Sequence, residues 1–150
     1  MNSPTATEPV DLLLVEDQSS DAELALRALR ELALGPHVRL VEDGAEALDF
    51  IFGRAAYAHR RVTDAPALIL LDLKLPKVSG HEVLRALKSD ERTKHIPVIV
   101  LSSSKEDRDV QRCYELGVNS YVVKPVDFGQ FTETVQRIGT YWLDTNERPT

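Results

Sequence analysis

Residues 67–72 read ALILLD: five apolar side chains, then a carboxylate. An unbroken apolar run this short suits a strand covered on both faces, as strands of a parallel sheet are. Working outward, the pattern recurs. VDLLLV at 10–15 runs into Glu16-Asp17, PVIVL at 97–101 into Ser102-Ser103-Ser104, and SYVV at 120–123 into Lys124-Pro125. VRLV at 38–41 is a fifth, weaker run.

Helical stretches alternate with these runs. The first spans Ala22–Leu34, with Leu26, Leu29 and Ala33 inward, a cap from Ser19, Ser20 or Asp21, and a stop at Gly35-Pro36. Gly44–Phe52 follows, with Ala47, Leu48, Ile51 and Phe52 inward, then His81–Lys88, then Lys105–Leu116 closed by Gly117. The last runs from Asp127 to about Leu143, with Phe128, Phe131, Val135, Ile138 and Trp142 at spacings of three and four. Residues 53–65 read as a long loop, and LKLPKVSG as a loop punctuated by Pro76 and Gly80. Five β-α units in series predict an α/β domain with a parallel, doubly wound sheet and helices on both faces.

Composition bounds the rest. At 150 residues the chain is one domain's length, and 43% hydrophobic with 28% charged is ordinary for a globular protein. We expect a loose segment at 1–9, a folded domain at 10–143 and a tail at 144–150. The longest apolar run, 65–71, has seven residues even with Pro66 included, whereas a membrane span needs ~20. MNSPTATEPV carries no basic and apolar leader. A single cysteine, Cys113, excludes a disulfide framework and a cysteine-based zinc site. These readings predict a soluble cytoplasmic protein with no membrane partner. The net charge of −6, without a basic stripe, argues against nucleic acid.

The informative feature is where the polar residues fall. Parallel strands end at one edge of the sheet, and open α/β sheets bind ligands there. Glu16, Asp17, Asp72, Ser102 and Lys124 are therefore expected in one cleft. Three carboxylates at close range repel one another, so a cation must accompany them. Oxygen-only ligands beside a phosphate suit Mg²⁺. Mg²⁺ and Lys124 together balance the three negative charges. A carboxylate is also a competent nucleophile toward phosphoryl groups.

These segments carry a family resemblance. LLVED, LLDLKLPKVSG, PVIVLSSS and YVVKP, in this order, resemble the receiver domain of bacterial two-component response regulators, over about Val10 to Trp142. The resemblance implies a flavodoxin-like fold with strand order 2-1-3-4-5. It implies that Asp72 accepts phosphate from a phosphohistidine of a sensor histidine kinase. Asp17 and Asp72 would bind Mg²⁺ directly, Glu16 through water, with the Lys74 backbone carbonyl completing the shell. Lys124 would pair with the phosphoryl oxygens, Ser102 would move to bond them, and Tyr121 would turn inward behind it. The Lys124–Pro125 peptide would be cis, an isomer that X-Pro bonds tolerate. The long second loop and the YWL segment at 141–143 are similar to the single-domain receivers that serve phytochrome-type kinases.

Three departures stand out. The acidic pair is Glu-Asp rather than Asp-Asp, the switch hydroxyl is Ser rather than Thr, and Lys74 is basic. As a modulator, the Lys74 ammonium would compete with attacking water and alter the phosphate lifetime. Nothing after the last helix is long enough for an output module, so the output is expected to be contact with a downstream protein. Tyr141, Trp142 and Leu143 lie past the reach of the sheet and predict a homodimer contact. His37, His59, His81 and His95 read as surface residues, Cys113 as packing, and Arg60-Arg61 as too short for a nucleic-acid patch but available for a partner contact. Two rival readings stay open: a small aspartyl-phosphate phosphatase, which would want a second acid where Lys74 stands, and a phosphate-independent interaction module.

Overall fold

Alternation along the strands sorts the core into two layers. A computed structural model describes residues 9–149. In it, β1 (Leu12–Val15), β2 (Val38–Val41), β3 (Leu68–Leu71), β4 (Val98–Ser102) and β5 (Ser120–Val123) form one parallel sheet, ordered β2-β1-β3-β4-β5. Leu13, Val15, Ile69, Leu71, Val98 and Val100 face one side. There they meet α2 (Gly44–Phe52), α3 (Gly80–Lys88) and α4 (Asp107–Glu115) through Phe50, Ile51, Leu84, Leu87 and Cys113. Leu12, Leu14, Leu68, Leu70, Ile99 and Leu101 face the other side. They are covered by α1 (Ser19–Arg30) and α5 (Phe128–Thr140) through Ala25, Leu29, Phe131 and Val135. Burying each such aliphatic side chain contributes roughly 1.5–3 kcal/mol, so β1 and β3, buried on both faces, anchor the domain.

Register positions the site. Val15 lies level with Leu71, Leu71 with Val100, and Ser102 with Val123. The residues that follow, Glu16, Asp72 and Lys124, therefore leave the sheet at the same edge as Ser102. The helix starts that frame this edge are capped as their sequences demand. Asp43 accepts from the Glu46 N–H at 2.7 Å, Ser79 from Glu82 at 3.3 Å, and Asp127 from Gln130 at 2.9 Å.

Several expectations need correction. Helix α1 starts at Ser19 with Gln18 flanking it and no side-chain cap. It ends at Arg30, and two short-range bonds, Leu32 N–H to Leu29 and Gly35 N–H to Leu32, turn the chain before Gly35. Ala33 is consequently exposed, and the inner face is the smaller set Ala22, Ala25, Ala28 and Leu29. On α2, Phe50 takes the buried place expected of Leu48 and Phe52, which are half-buried. Phe128 is 73% exposed, and the buried face of α5 starts one turn later, at Phe131.

The 53–65 loop is more organised than its length suggests. A 3₁₀ turn at Ala55–Tyr57 docks Tyr57 edge-on against Phe50, ring centroids 5.1 Å apart. Arg60 is buried rather than on the surface. Its guanidinium donates to the Phe50 and Asp64 carbonyls at 3.2 and 2.6 Å and lies 3.8 Å from the Phe50 ring centre. A buried guanidinium needs such acceptors, and one carbonyl at the end of α2 and one in the loop supply them. Arg61 is exposed, as are His37, His59 and His95. Cys113 is fully buried, and burial pushes its thiol up to about 11, so it packs as expected.

Past α5 the chain makes one wide turn, Tyr141–Thr145, closed by the Asn146 N–H on the Tyr141 carbonyl at 2.7 Å. Trp142 and Leu143 pack against the core layer of α1 and α5. The helices thus cover what the sheet does not, leaving Tyr141 as the exposed member of the three. The expected loose segment at 1–9 lies, apart from Pro9, outside the described residues. No helix among the described residues is long and apolar enough to cross a membrane.

Candidate functional site

The strand ends converge. Glu16, Asp17 and Asp72 each place a carboxylate oxygen within 4.8 Å of the others. Glu16 and Asp72 are buried and Asp17 is exposed, so the trio opens to solvent on one side. Lys124 projects into it from the end of β5. Its Nζ lies 2.8 Å from Glu16 Oε1 and 3.1 Å from Asp72 Oδ2. The Lys124 N–H donates to the Ser102 carbonyl at 2.8 Å, tying this lysine to β4.

The phosphoacceptor candidate is held by its own backbone. Asp72 Oδ1 accepts from the Leu73 N–H at 2.7 Å and from the Lys74 N–H at 3.4 Å, which leaves Oδ2 toward Lys124. Gly80 carries α3 up against this turn, its N–H on the Leu73 carbonyl at 2.9 Å. A Cβ at Gly80 would lie 2.3 Å from the Asp72 carbonyl oxygen, so only glycine allows the approach. Lys77, at φ +68°, completes the turn and reaches Asp43 of the α2 cap at 3.5 Å. Lys74 is exposed at the rim.

Charge burial sets the titration. Burial, aided by the Asp72 charge and opposed by the Lys124 ammonium, pushes the Glu16 carboxyl up to about 7. Lys124 is pulled down by burial, but its bonds to Asp21 and Glu16 and the Asp72 charge outweigh that and hold it charged. A carboxyl raised above its unfolded value of ~4.3 stabilises the fold below that value, and the contribution is lost as pH rises through 7. Metal-free protein is therefore expected to show a higher urea midpoint at pH 5 than at pH 7.5. Saturating Mg²⁺ should shrink the difference. Equal midpoints in EDTA would remove the assignment.

A hydroxyl chain lies beside the acids. Ser102 is buried, and its Oγ accepts from the Ser104 N–H at 3.2 Å. Tyr121 donates its hydroxyl to the Ser104 carbonyl at 2.8 Å, and Ser104 Oγ donates to Asp109 at 2.5 Å. His81, expected on the surface, is half-buried at the start of α3. Its Nε2 is buried without a hydrogen-bond partner among the described residues, 3.8 Å from Asp109. The apposition of α3 and α4, invisible in the sequence, puts it there.

Two further points depart from expectation. The Lys124–Pro125 peptide is trans, with no cis bond among the described residues. Trans is the lower-energy isomer by about 0.5–1 kcal/mol, and Lys124 reaches its partners without the cis link. The second is Asp21. It read as a helix cap, yet its Oδ2 lies 2.8 Å from Lys124 Nζ. Only the fold shows this, since 103 residues separate the two.

The donor set fits a hard divalent cation: three carboxylates, no nitrogen or sulfur, and one open side. The fold and site together define an open α/β domain with an acidic trio and a lysine at the carboxyl edge of its parallel sheet. A model of the response regulator receiver domain matches residues 12–136, and the chain belongs to that family, the receiving component of two-component signalling. The response regulator Rcp1 of Synechocystis sp. is 36% identical over 147 residues, 98% of each chain. A crystal structure of the Mn(2+)-bound form of response regulator Rcp1 superposes with a TM-score of 0.87 at 37% identity, covering 95% of this chain and 100% of that one. The phosphorylated cyanobacterial phytochrome response regulator RcpA gives a TM-score of 0.87 at 39% identity, covering 95% and 99%. "Probable methanogenesis regulatory protein FilR2" of Methanothrix harundinacea is 42% identical over 144 residues, 96% of this chain and 90% of its own.

Proposed function

We propose that this chain is a cytoplasmic single-domain response regulator that takes a phosphoryl group onto Asp72 from a sensor histidine kinase of phytochrome type. One observation carries the reading. Asp72 is held by backbone N–H groups through Oδ1, while Oδ2 faces the Lys124 ammonium at 3.1 Å within an acidic trio. In the transfer step Asp72 Oδ2 attacks phosphorus. The P–O bond forms, the P–N bond of the phosphohistidine breaks, and its electron pair returns to the imidazole nitrogen, which picks up a proton. Lys124 pairs with the phosphoryl oxygens as charge builds. Asp17 and Asp72 would hold Mg²⁺ directly, with Glu16 acting through water and the Lys74 carbonyl completing the shell. When bound, the ion neutralises the carboxylates and the incoming phosphate.

Phosphorylation then biases the hydroxyl chain. Ser102 is one bond from the Ser104 N–H, and Tyr121 holds the Ser104 carbonyl. Turning Ser102 toward a phosphoryl group on Asp72 breaks the first contact and frees Tyr121 to follow, changing the surface around α4 and β5 that a downstream protein reads. Tyr141, exposed beside the half-buried Trp142 and Leu143, offers a place for a second copy of the chain.

The test is direct. Incubation with Mg²⁺ and acetyl phosphate should yield one acid-labile adduct on the wild type and only background on Asp72→Asn, read by intact mass. Continuous phosphate release would favour a phosphatase. No adduct would favour a phosphate-independent interaction module. The exposed ammonium of Lys74 stands where a phosphatase would want an acid. We expect Lys74→Asn to shorten the adduct lifetime severalfold by admitting water. Equal rates would remove Lys74 as a modulator.

A further inference from the structure

The Lys124 ammonium has three N–H donors. The structure gives it three carboxylate partners: Glu16 at 2.8 Å, Asp21 at 2.8 Å and Asp72 at 3.1 Å. Glu16 and Asp72 belong to the acidic trio, and Asp21 stands outside it. Asp21 reaches in from the first turn of α1, its side chain 31% exposed. It can therefore be neutralised without touching a member of the trio or the core.

We propose that Asp21 is a positioning residue that restrains Lys124 in the resting state and so raises the threshold for phosphoryl binding at Asp72. The inference rests on the phosphoacceptor reading above. Its physical basis has two parts with the same sign. A phosphoryl oxygen on Asp72 needs one of the Lys124 donors, and Asp21 competes for it. Asp21 also adds a negative charge close to where the phosphoryl oxygens must sit, and like charges in a half-buried site repel through a low effective dielectric. With Asp21 neutralised, Glu16 and Asp72 still keep the ammonium in the site, so the change frees one donor without losing Lys124 from the cleft. For a cation the sign reverses: Asp21 adds to the negative potential that attracts a divalent ion.

Opposite signs supply the test. Asp21→Asn keeps the size of the side chain and a neutral acceptor, which bonds an ammonium more weakly than a carboxylate does. Full-length wild type and Asp21→Asn are titrated with Mg²⁺ alone, then with fluoroberyllate at saturating Mg²⁺, by calorimetry. Fluoroberyllate affinity should rise roughly threefold to tenfold in the variant, while Mg²⁺ affinity falls roughly twofold to fivefold. Asp21→Ser, uncharged and well suited to a helix start, should show the same split. A residue serving only the start of α1 would shift the melting temperature and leave both affinities alone, or weaken both together. Either of those results overturns the role. Wild type that binds Mg²⁺ but takes neither fluoroberyllate nor phosphate would sink the phosphoacceptor reading, and this role with it. Wild type that takes fluoroberyllate while both variants match it sinks the Asp21 role alone.

Discussion

Lys124→Met should lower the stability of the metal-free protein by about 3–5 kcal/mol at pH 7.5, the cost of removing one partner from a buried ion pair. Met nearly matches the length of Lys, so the lesion is the charge. Glu16 and Asp72 are 4% and 6% exposed and would lose the cation that each contacts. Asp21, more exposed, contributes little to the loss. Two treatments should restore stability by different routes. Lowering the pH to 5 protonates Glu16, whose carboxyl already sits at about 7 with Lys124 present and rises further without it. Saturating Mg²⁺ replaces the missing positive charge. The variant should bind Mg²⁺ more tightly than wild type, since a competing cation has gone, yet take up no phosphate from acetyl phosphate. Urea denaturation in EDTA and in Mg²⁺, at both pH values, reads all of this. A variant as stable as wild type in EDTA at pH 7.5 would show that Lys124 is not electrostatically coupled to Glu16 and Asp72.

Gly80→Ala should be the second large effect, through backbone geometry rather than charge. The added Cβ would lie 2.3 Å from the Asp72 carbonyl oxygen and 2.5 Å from Leu73 Cα. Neither atom can swing aside as a side chain would, so the start of α3 must retreat and strain its bond to the Leu73 carbonyl. Overpacking of this kind costs roughly 1–3 kcal/mol, above the ~1 kcal/mol that alanine gains over glycine within a helix. The retreat drags the Asp72 turn, and an active group displaced by ~1 Å can lose on the order of 100-fold in rate. We therefore expect a lower unfolding midpoint together with a much slower acetyl phosphate reaction. Ser79→Ala is the control. It removes the neighbouring cap, for ~1 kcal/mol, and should leave phosphate uptake near wild type. Uptake by Gly80→Ala at the wild-type rate would mean that the close approach does not position Asp72.

Strand ends were the most legible part of the molecule. A parallel sheet buried on both faces demands apolar runs. The polar residues that end the first, third and fifth runs then stand at one edge, so Glu16, Asp17, Asp72 and Lys124 are readable as neighbours from the sequence. Helix faces were less so. Spacing alone places Ala33 and Phe128 inward, yet α1 turns off at Arg30 and the buried face of α5 starts only at Phe131, leaving both exposed. Arg60 and His81 misled for a related reason. A charged or polar side chain reads as surface unless its burial partners are known, and these partners come from elsewhere in the chain: the Phe50 and Asp64 carbonyls for Arg60, and α4 for His81.

Sequence by itself determined the parallel sheet, its two-faced burial and the edge at which chemistry collects, because these follow from periodicity and from the direction of parallel strands. Tertiary structure alone decided how the Lys124 ammonium is divided among Glu16, Asp72 and Asp21, and how closely α3 approaches Asp72 at Gly80. Those are distances between segments far apart in the chain, set by helix packing, and no local pattern encodes them.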